Sequence, residues 1–484
     1  MKIRELWDKL DSGWQNALLF VVFYFLYLFV NISVIPRAGY HWDETLDFQG
    51  EGVLTYVALG RWMLALWKCI FGMGCSPWTA GLFAGVLLVC AIVWQIRLLK
   101  LNDLFVALMY GVITVSMVQF SRMLVYSVQS DAVAGGMLAV TAAVALVVRE
   151  KATPLYIILA AILLGAAMGI YQSIGLYMVV VFAGCALVHY SLREWWWRAV
   201  IVVVLGCCVY LSGKWVADWI VAVPEPIRMQ YVSGQKSMVN NPFLHPESVM
   251  QLVLFVGHYL LVMLKNCFVP KYAGEWFYVS AVVPVMGLLI RSLCAKQGII
   301  RLLWTWVLIV GIWLAPFAMV LVLGNEWPCL PHTKLCQGLA LAILWSAFLQ
   351  PLLLKRWQKY ALMLILGLCC VRASNTVSAF ARVERAEFET RLLHRTQMLL
   401  DARKIADASG IPYGNIVYFP QQLLPSCSLS VDFSGTYPAF REMRTSTIED
   451  YAKYKHHVDM MPVWPAPGSV KVVENMVIIK GSEY

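Results

Sequence analysis

Apolar runs of roughly 17–25 residues recur along this chain from Leu18 to near Val371, and they limit its fold more than any other feature. A helix rising 1.5 Å per residue needs about that length to cross roughly 30 Å of hydrocarbon. Helices are the only option here, because backbone groups in lipid must be satisfied within their own segment and the alternating pattern of a membrane barrel is absent. Composition agrees: 60% of the residues are hydrophobic and 14% charged, whereas a soluble domain carries about 25% charged residues. The sequence therefore predicts an all-α polytopic membrane protein and excludes a soluble enzyme.

The net charge of +10 has a location. From Ser374 to the end there are 12 basic and 12 acidic residues, so the whole excess lies in the apolar part. Short cytoplasmic loops supply such an excess under the positive-inside rule, and no nucleic-acid partner is implied. Lys2, Arg4 and Lys9 put the N-terminus in the cytoplasm. The first run, Ala17–Ile35, lacks a small-x-small cleavage site and stays as a span. It delivers residues 36–77 to the outer face. Within them Val53–Phe71, interrupted by Gly60-Arg61 and Lys68, reads as an amphipathic helix lying at the interface. Basic turns at Arg97 and Lys100, Arg149 and Lys151, Arg193 and Arg198, and Lys355 to Lys359 mark the inner side. Trp195-Trp196-Trp197 reads as an interfacial anchor. Keeping Arg291, Lys296 and Arg301 inside requires Val249–Val269 to be re-entrant or surface-lying. About eleven crossings result, and an odd number puts the C-terminal segment outside.

The expected organisation is thus a polytopic domain over 1–373, with an outer catalytic loop at 36–77, and a small extracytoplasmic α+β domain over 374–484. In the latter, Tyr360–Val371 being the last span, Phe380–Ala406 reads as a charged amphipathic helix. Asn415–Phe419, Ser469–Val473 and Met476–Lys480 read as strands, the last two forming a hairpin around Glu474-Asn475. The 13 cysteines fall mostly inside apolar helices and read as free thiols; only Cys329 with Cys336, or Cys69 with Cys75, are candidates for pairing.

Against this background one stretch is conspicuous. Tyr40-His41-Trp42-Asp43-Glu44-Thr45-Leu46-Asp47, with Glu51 shortly after, sets four carboxylates at a membrane surface directly after the first span. Such a cluster is a catalytic base, an ion or proton relay, or a solvated loop. The flanking aromatics Tyr40 and Trp42, and Arg61 with its bidentate fork for a phosphate, favour chemistry. A metal at His41-x-Asp43 is the weaker alternative, since a hard divalent ion prefers an oxygen cage, and no cofactor is firmly implied.

Asp43-Glu44 followed by Gly60-Arg61 resembles the acidic pair and Gly-Arg of the glucosyltransferase type II family of O-antigen glucosyltransferases. Further likenesses follow in order: Tyr126–Asp131 (YSVQSD), Gly169-Ile170-Tyr171-Gln172-Ser173, and Met461-Pro462-Val463-Trp464-Pro465 with Gly468–Val473. Where the family often has two aspartates this chain has Asp43-Glu44, which leaves open which of the two is the base. The resemblance implies a GT-C type enzyme of the bacterial inner membrane, its active site facing the periplasm. Such an enzyme moves a hexose, glucose by resemblance, from a polyprenyl phosphate to a polysaccharide or lipid-linked glycan such as O-antigen. It depends on a separate donor synthase and flippase. Transfer to a hydroxyl needs a carboxylate to take the proton and cations to stabilise the departing phosphate. Asp43 or Glu44 is then the base and Arg61 the phosphate clamp, with Arg122, Arg228 and Lys236 as lesser clamps. Asp47, Asp131, Gln172 and Glu326 are the remaining substrate contacts; Asp131 and Gln172 read equally well as a helix cap or an interhelical hydrogen bond.

Two other classes share the many spans. A lipid-linked sugar flippase or transporter would carry ionisable groups at mid-membrane on broken helices, but the spans here are nearly free of charge in their middles. An O-antigen ligase or polymerase differs in its donor, an undecaprenyl diphosphate glycan.

Overall fold

The first apolar run forms α1 (Ser12–Asn31), and Asp11 closes its N-terminus, the carboxylate accepting from the Trp14 backbone N–H at 2.9 Å. After it come α2 (Gly52–Ala58), α3 (Trp62–Phe71), α4 (Pro77–Leu98), α5 (Leu104–Ser116), α6 (Val118–Met123) and α7 (Ser127–Val147). The chain continues through α8 (Pro154–Ile170), α9 (Ile174–His189), α10 (Leu192–Val221), α11 (Val249–Phe268), α12 (Trp276–Cys294), α13 (Ile299–Leu323), α14 (Gln337–Leu349) and α15 (Arg356–Ser409). This is a computed structural model that describes residues 7, 10–35, 52–71, 77–116, 118–124, 127–189, 192–223, 248–268, 276–295, 298–323, 335–352, 354–412, 415–420, 443–445 and 448–481. The chain forms two units, one of residues 1–38, 60–220 and 237–381, the other of residues 39–59, 221–236 and 382–484.

In the first unit, six segments among the described residues are long and apolar enough to cross a membrane: Ser12–Asn31, Trp78–Leu98, Gln129–Val147, Trp195–Val221, Ile299–Pro316 and Trp357–Ala379. Shorter apolar helices, Leu104–Ser116, Pro154–Ile170, Ile174–Val188, Ser280–Cys294 and Gln337–Leu349, occupy stretches that the sequence reading also counts as crossings. The protein is an all-α membrane bundle in this part.

Helix α7 packs against α3, α4, α8 and α9. Its small residues permit this: a Cβ added at Gly135 would stand 2.9 Å from the Trp67 ring of α3. The interior holds an uncharged polar network in which Gln95 donates to Thr141 and to Tyr177, 2.8 Å each, and accepts from the Tyr110 hydroxyl at 2.8 Å. It ties α4, α5, α7 and α9 together with every group partnered, the condition for polar atoms away from water. Because Gln95 near the end of α4 meets Thr141 late in α7, these two helices finish at the same end of the bundle.

That end carries the basic turns. Arg97 reaches Asn16 and Gln15 at 2.6 and 3.0 Å, Arg198 donates to the Arg149 carbonyl at 2.9 Å, and Gln350 donates to the Lys100 carbonyl at 3.3 Å. Lys359 Nζ lies 3.0 Å from Asp103 Oδ2, while Asp103 Oδ1 caps α5 by accepting from the Phe105 and Val106 N–H groups. Burial pushes the Asp103 carboxyl up, but Lys359 and the two backbone donors outweigh it and hold the group below its ordinary value.

Two expectations change. Val53–Phe71 is not one helix on a surface: it breaks between α2 and α3, and α3 turns one face into protein, with Leu64, Ala65 and Lys68 buried and Leu66, Ile70 and Phe71 exposed. The reason is the spacing of Arg61, Leu64, Ala65 and Lys68, which puts them on one helical stripe against α7 and α8. Tyr360–Val371 and Phe380–Ala406 are likewise not separate elements, since α15 runs unbroken from Arg356 to Ser409. The polarity changes near Ser374, but nothing there breaks the backbone: the Thr376 hydroxyl folds back onto the Arg372 carbonyl at 2.9 Å.

The second unit holds α2, the end of α15 from Arg382, α16 (Ile448–Met460) and a four-stranded sheet. Its strands are β1 (Ile416–Pro420), β2 (Met443–Thr445), β3 (Val470–Val473) and β4 (Met476–Gly481), in the order β2-β1-β4-β3. β1 is parallel to β2 and β4, and β3 and β4 form an antiparallel pair around Glu474-Asn475. Alternation sends Ile416, Tyr418, Val477 and Ile479 towards Leu399, Ala402 and Ala406 of α15, and Val417, Phe419 and Ile478 towards Tyr454 and Val458 of α16. Trp464 of the Met461–Pro465 motif packs in the first of these cores and donates to Asp401 at 3.2 Å. On the exposed side Lys453 and the Tyr454 hydroxyl bind Glu474 at 2.9 and 3.1 Å and hold its carboxyl below the ordinary value. Cys69, Cys336 and the other cysteines whose side chains are described are free thiols; Cys75 and Cys329 lie outside the described residues.

Candidate functional site

The site is built on the break before α3. Gly60 takes a positive φ of 73°, a conformation that costs a side-chain-bearing residue roughly 1–2 kcal/mol. Space forbids a side chain as well. A Cβ at Gly60 would lie 2.6 Å from the Tyr210 hydroxyl, 3.5 Å from Gln172 Nε2 and 3.5 Å from Lys214 Cδ. Gln172 itself donates to the Tyr210 hydroxyl at 3.2 Å, which joins the α8–α9 corner to α10 just over the glycine.

Arg61 follows, and its guanidinium is held from two sides. Nη1 donates to Gln129 Oε1 of α7 at 3.2 Å, and the Cζ atom lies 4.6 Å from the centre of the Tyr171 ring. Its Nε has no hydrogen-bond partner among the described residues. Trp62 then anchors the start of α3 by donating from Nε1 to the Tyr210 carbonyl at 3.1 Å. About two turns after Arg61, Lys68 Nζ meets Asp131 Oδ1 at 3.1 Å, with the two side chains 0% and 3% exposed. Trp67 Nε1 donates to the other carboxylate oxygen at 2.9 Å. Asp131 is thus taken up on both oxygens by α3, and α3 is locked to α7.

Three residues singled out in the sequence therefore converge on the segment from Gly60 to Lys68: Arg61 belongs to it, Asp131 holds it, and Gln172 lies over its first glycine. Asp131 takes the interhelical role that its sequence context allowed beside substrate contact. Asp43, Glu44, Asp47, Arg228, Lys236 and Glu326 lie outside the described residues, as does the His41-x-Asp43 pair; Arg122 lies on α6, its side chain outside the described set. Among the described residues no group of three or more His, Cys, Asp or Glu could hold a metal ion. Sequence reasoning missed Lys68, Gln129, Trp62, Tyr210 and Lys214. Lys68 had a signal: it lies seven residues after Arg61, on the same helical stripe as apolar Leu64 and Ala65, and a lysine there needs an acid.

Helices that can span a membrane, with an arginine displayed at a helix break over a buried ion pair, define a polytopic membrane protein with a charged site at one end of its bundle. A family model described as Glucosyl transferase GtrII matches residues 38–371, well over half the chain, and the protein belongs to that family. It is accordingly a membrane glycosyltransferase by class. The match covers the break at Gly60-Arg61 and the Asp131 and Gln172 motifs, and it ends before Met461–Val473. No curated protein and no solved structure gives a match.

Proposed function

We propose that the protein transfers a glucosyl residue from a polyprenyl phosphate to O-antigen, or to its lipid-linked precursor, on the periplasmic face of the bacterial inner membrane. Membership of the GtrII family is the observation that carries this reading. In the step itself the acceptor hydroxyl oxygen bonds to the anomeric carbon while the bond from that carbon to the phosphate oxygen breaks. The hydroxyl proton passes to Asp43 or Glu44, and the polyprenyl phosphate leaves with the bonding electrons. Negative charge then builds on the phosphate. Arg61, seventeen residues after Glu44 in the chain, is the cation assigned to it, with Lys214 as a second positive group whose stem passes beside Gly60. The unpartnered Nε of Arg61 supports this role, since the group retains a donor after binding Gln129.

The remaining assignments belong to the same proposal. The shorter apolar helices complete a set of about eleven crossings, the basic turns face the cytoplasm, residues 374–484 form an outer α+β domain, and residues 36–77 form the catalytic loop of the outer face. The donor is supplied by a separate synthase and flippase. Surface glycan from cells with and without the gene tests the activity. An added side-branch hexose on each repeat supports transfer, whereas altered chain length without an added hexose would point to a polymerase and sink the proposal.

A further inference from the structure

Lys214 approaches Gly60 from α10, and it is one member of a stripe. From Tyr210 onward one side of this helix, formed by Tyr210, Gly213, Lys214, Ala217 and Asp218, is half-buried, whereas Leu211, Trp215, Val216, Trp219 and Ile220 are exposed. Spacings of three and four residues put the whole stripe on one face. That face meets the start of α3. Trp62 donates to the Tyr210 carbonyl, a Cβ added at Gly213 would lie 2.4 Å from the Trp62 ring, and the Lys214 stem passes beside Gly60. Asp218 continues the same face one turn beyond Lys214, with about 5–6 Å between the two Cβ atoms.

The helix itself does not favour a carboxylate there. α10 ends at Val221 and its last turn holds no basic residue, so Asp218 stands at the negative end of the helix dipole, where an acid is destabilising. A lysine four residues before the acid is also the less favourable order for a pair on one helix, and no ion pair joins Lys214 to Asp218. Depth adds a second constraint. The segment Trp195–Val221 is long and apolar enough to cross a membrane, and it starts at the basic end, where Arg198 meets the Arg149 carbonyl. Near its other end Trp215 and Trp219 are 71% and 75% exposed, the position of tryptophans at the headgroup level. Lys214 and Asp218 therefore lie at the depth of a lipid-borne phosphate, with Asp218 nearer the helix end.

We propose that Asp218 binds hydroxyl groups of the donor sugar, one turn beyond the phosphate held by Lys214 and Arg61. This rests on the donor reading proposed above and adds to it the residue that recognises the sugar. An ionised carboxylate offers two acceptor oxygens and no donor, which suits a pair of neighbouring sugar hydroxyls. The order along α10 fits a lipid whose tail lies in the bilayer, whose phosphate meets Lys214 and whose hexose extends outward to Asp218. The role is binding, and the acceptor proton still passes to Asp43 or Glu44.

Native mass spectrometry of the full-length protein in detergent, titrated with a short-chain polyprenyl phosphate and with the same lipid carrying glucose, tests this without turnover. D218N is expected to weaken binding of the glucosyl lipid about tenfold or more, the scale of a hydrogen bond to a charged group, and to leave the bare phosphate within about twofold. K214Q is expected to weaken both lipids by about tenfold. Removing an acid from a helix C-terminus should not lower the unfolding midpoint, which is the folding control. Unchanged affinity of D218N for the glucosyl lipid, equal weakening of both lipids, or a lowered midpoint would overturn the Asp218 assignment and leave the donor reading in place. Unchanged affinities in K214Q would overturn the alignment of phosphate and sugar along α10. A parent that binds neither lipid would overturn the donor reading and this assignment with it.

Discussion

Replacing Lys68 by methionine isolates the energetics of the site. The substitution keeps most of the side-chain volume and removes the ammonium, leaving Asp131, among the described residues, with the Trp67 N–H, 2.9 Å from Oδ2, in a place where its side chain is 3% exposed. Breaking a buried pair by removing one partner costs about 3–5 kcal/mol, because the surviving charge stays desolvated and uncompensated. Removing both members costs far less, since two apolar groups of similar size can pack in their place. K68M should therefore lower the unfolding midpoint in mild detergent substantially, D131L should do the same, and K68M/D131L should recover most of the loss. The coupling between the two sites should reach about 2 kcal/mol or more in a double-mutant cycle. If both single variants unfold within about 0.5 kcal/mol of the parent, or if the double variant shows the plain sum of the two losses, the lock between α3 and α7 does not exist as described.

Gly60→Ala places a side chain at positive φ and 2.6 Å from the Tyr210 hydroxyl, so the corner must shift; hexose transfer in membranes should fall at least about tenfold with a stability loss of only about 1–2 kcal/mol. The depressed Asp103 carboxyl contributes stability that is fully present above its unfolded value, about 3.9, and is lost as pH falls through its lower folded value. Unfolding midpoints measured as pH falls from about 6 to about 2, through that region, should therefore drop less steeply in Lys359→Met, which no longer holds the carboxyl down.

How much of this was legible in the chain differs from element to element. Apolar run length and loop charge located α1, α4, α7 and α13, because a membrane leaves so few alternatives. Gly60-Arg61, Asp131 and Gln172 were also visible as motifs, although the break at Gly60 was not. Their mutual contacts were not: nothing in sequence spacing says that Asp131 meets Lys68 sixty-three residues earlier, or that Tyr210 closes over Gly60. The continuity of α15 was hidden for a different reason. Polarity changes at Ser374, and burial pattern follows polarity, but a helix ends only where caps or breakers end it. The carboxylates of the 36–51 stretch lie outside the described residues, and the division of labour between Asp43 and Glu44 rests on chemistry alone.

The central claim is that one of those two carboxylates takes the acceptor proton during transfer from a polyprenyl phosphate sugar. Membranes holding the full chain, D43N or E44Q are supplied with polyprenyl-phosphate glucose, isotopically labelled in the sugar, and with lipid-linked acceptor. The account predicts labelled acceptor from the parent, and in at least one variant a rate lower by about a hundredfold or more, the usual scale of general-base catalysis, with folded protein retained. Full activity in both variants, or no label transferred from this donor by the parent, would contradict it.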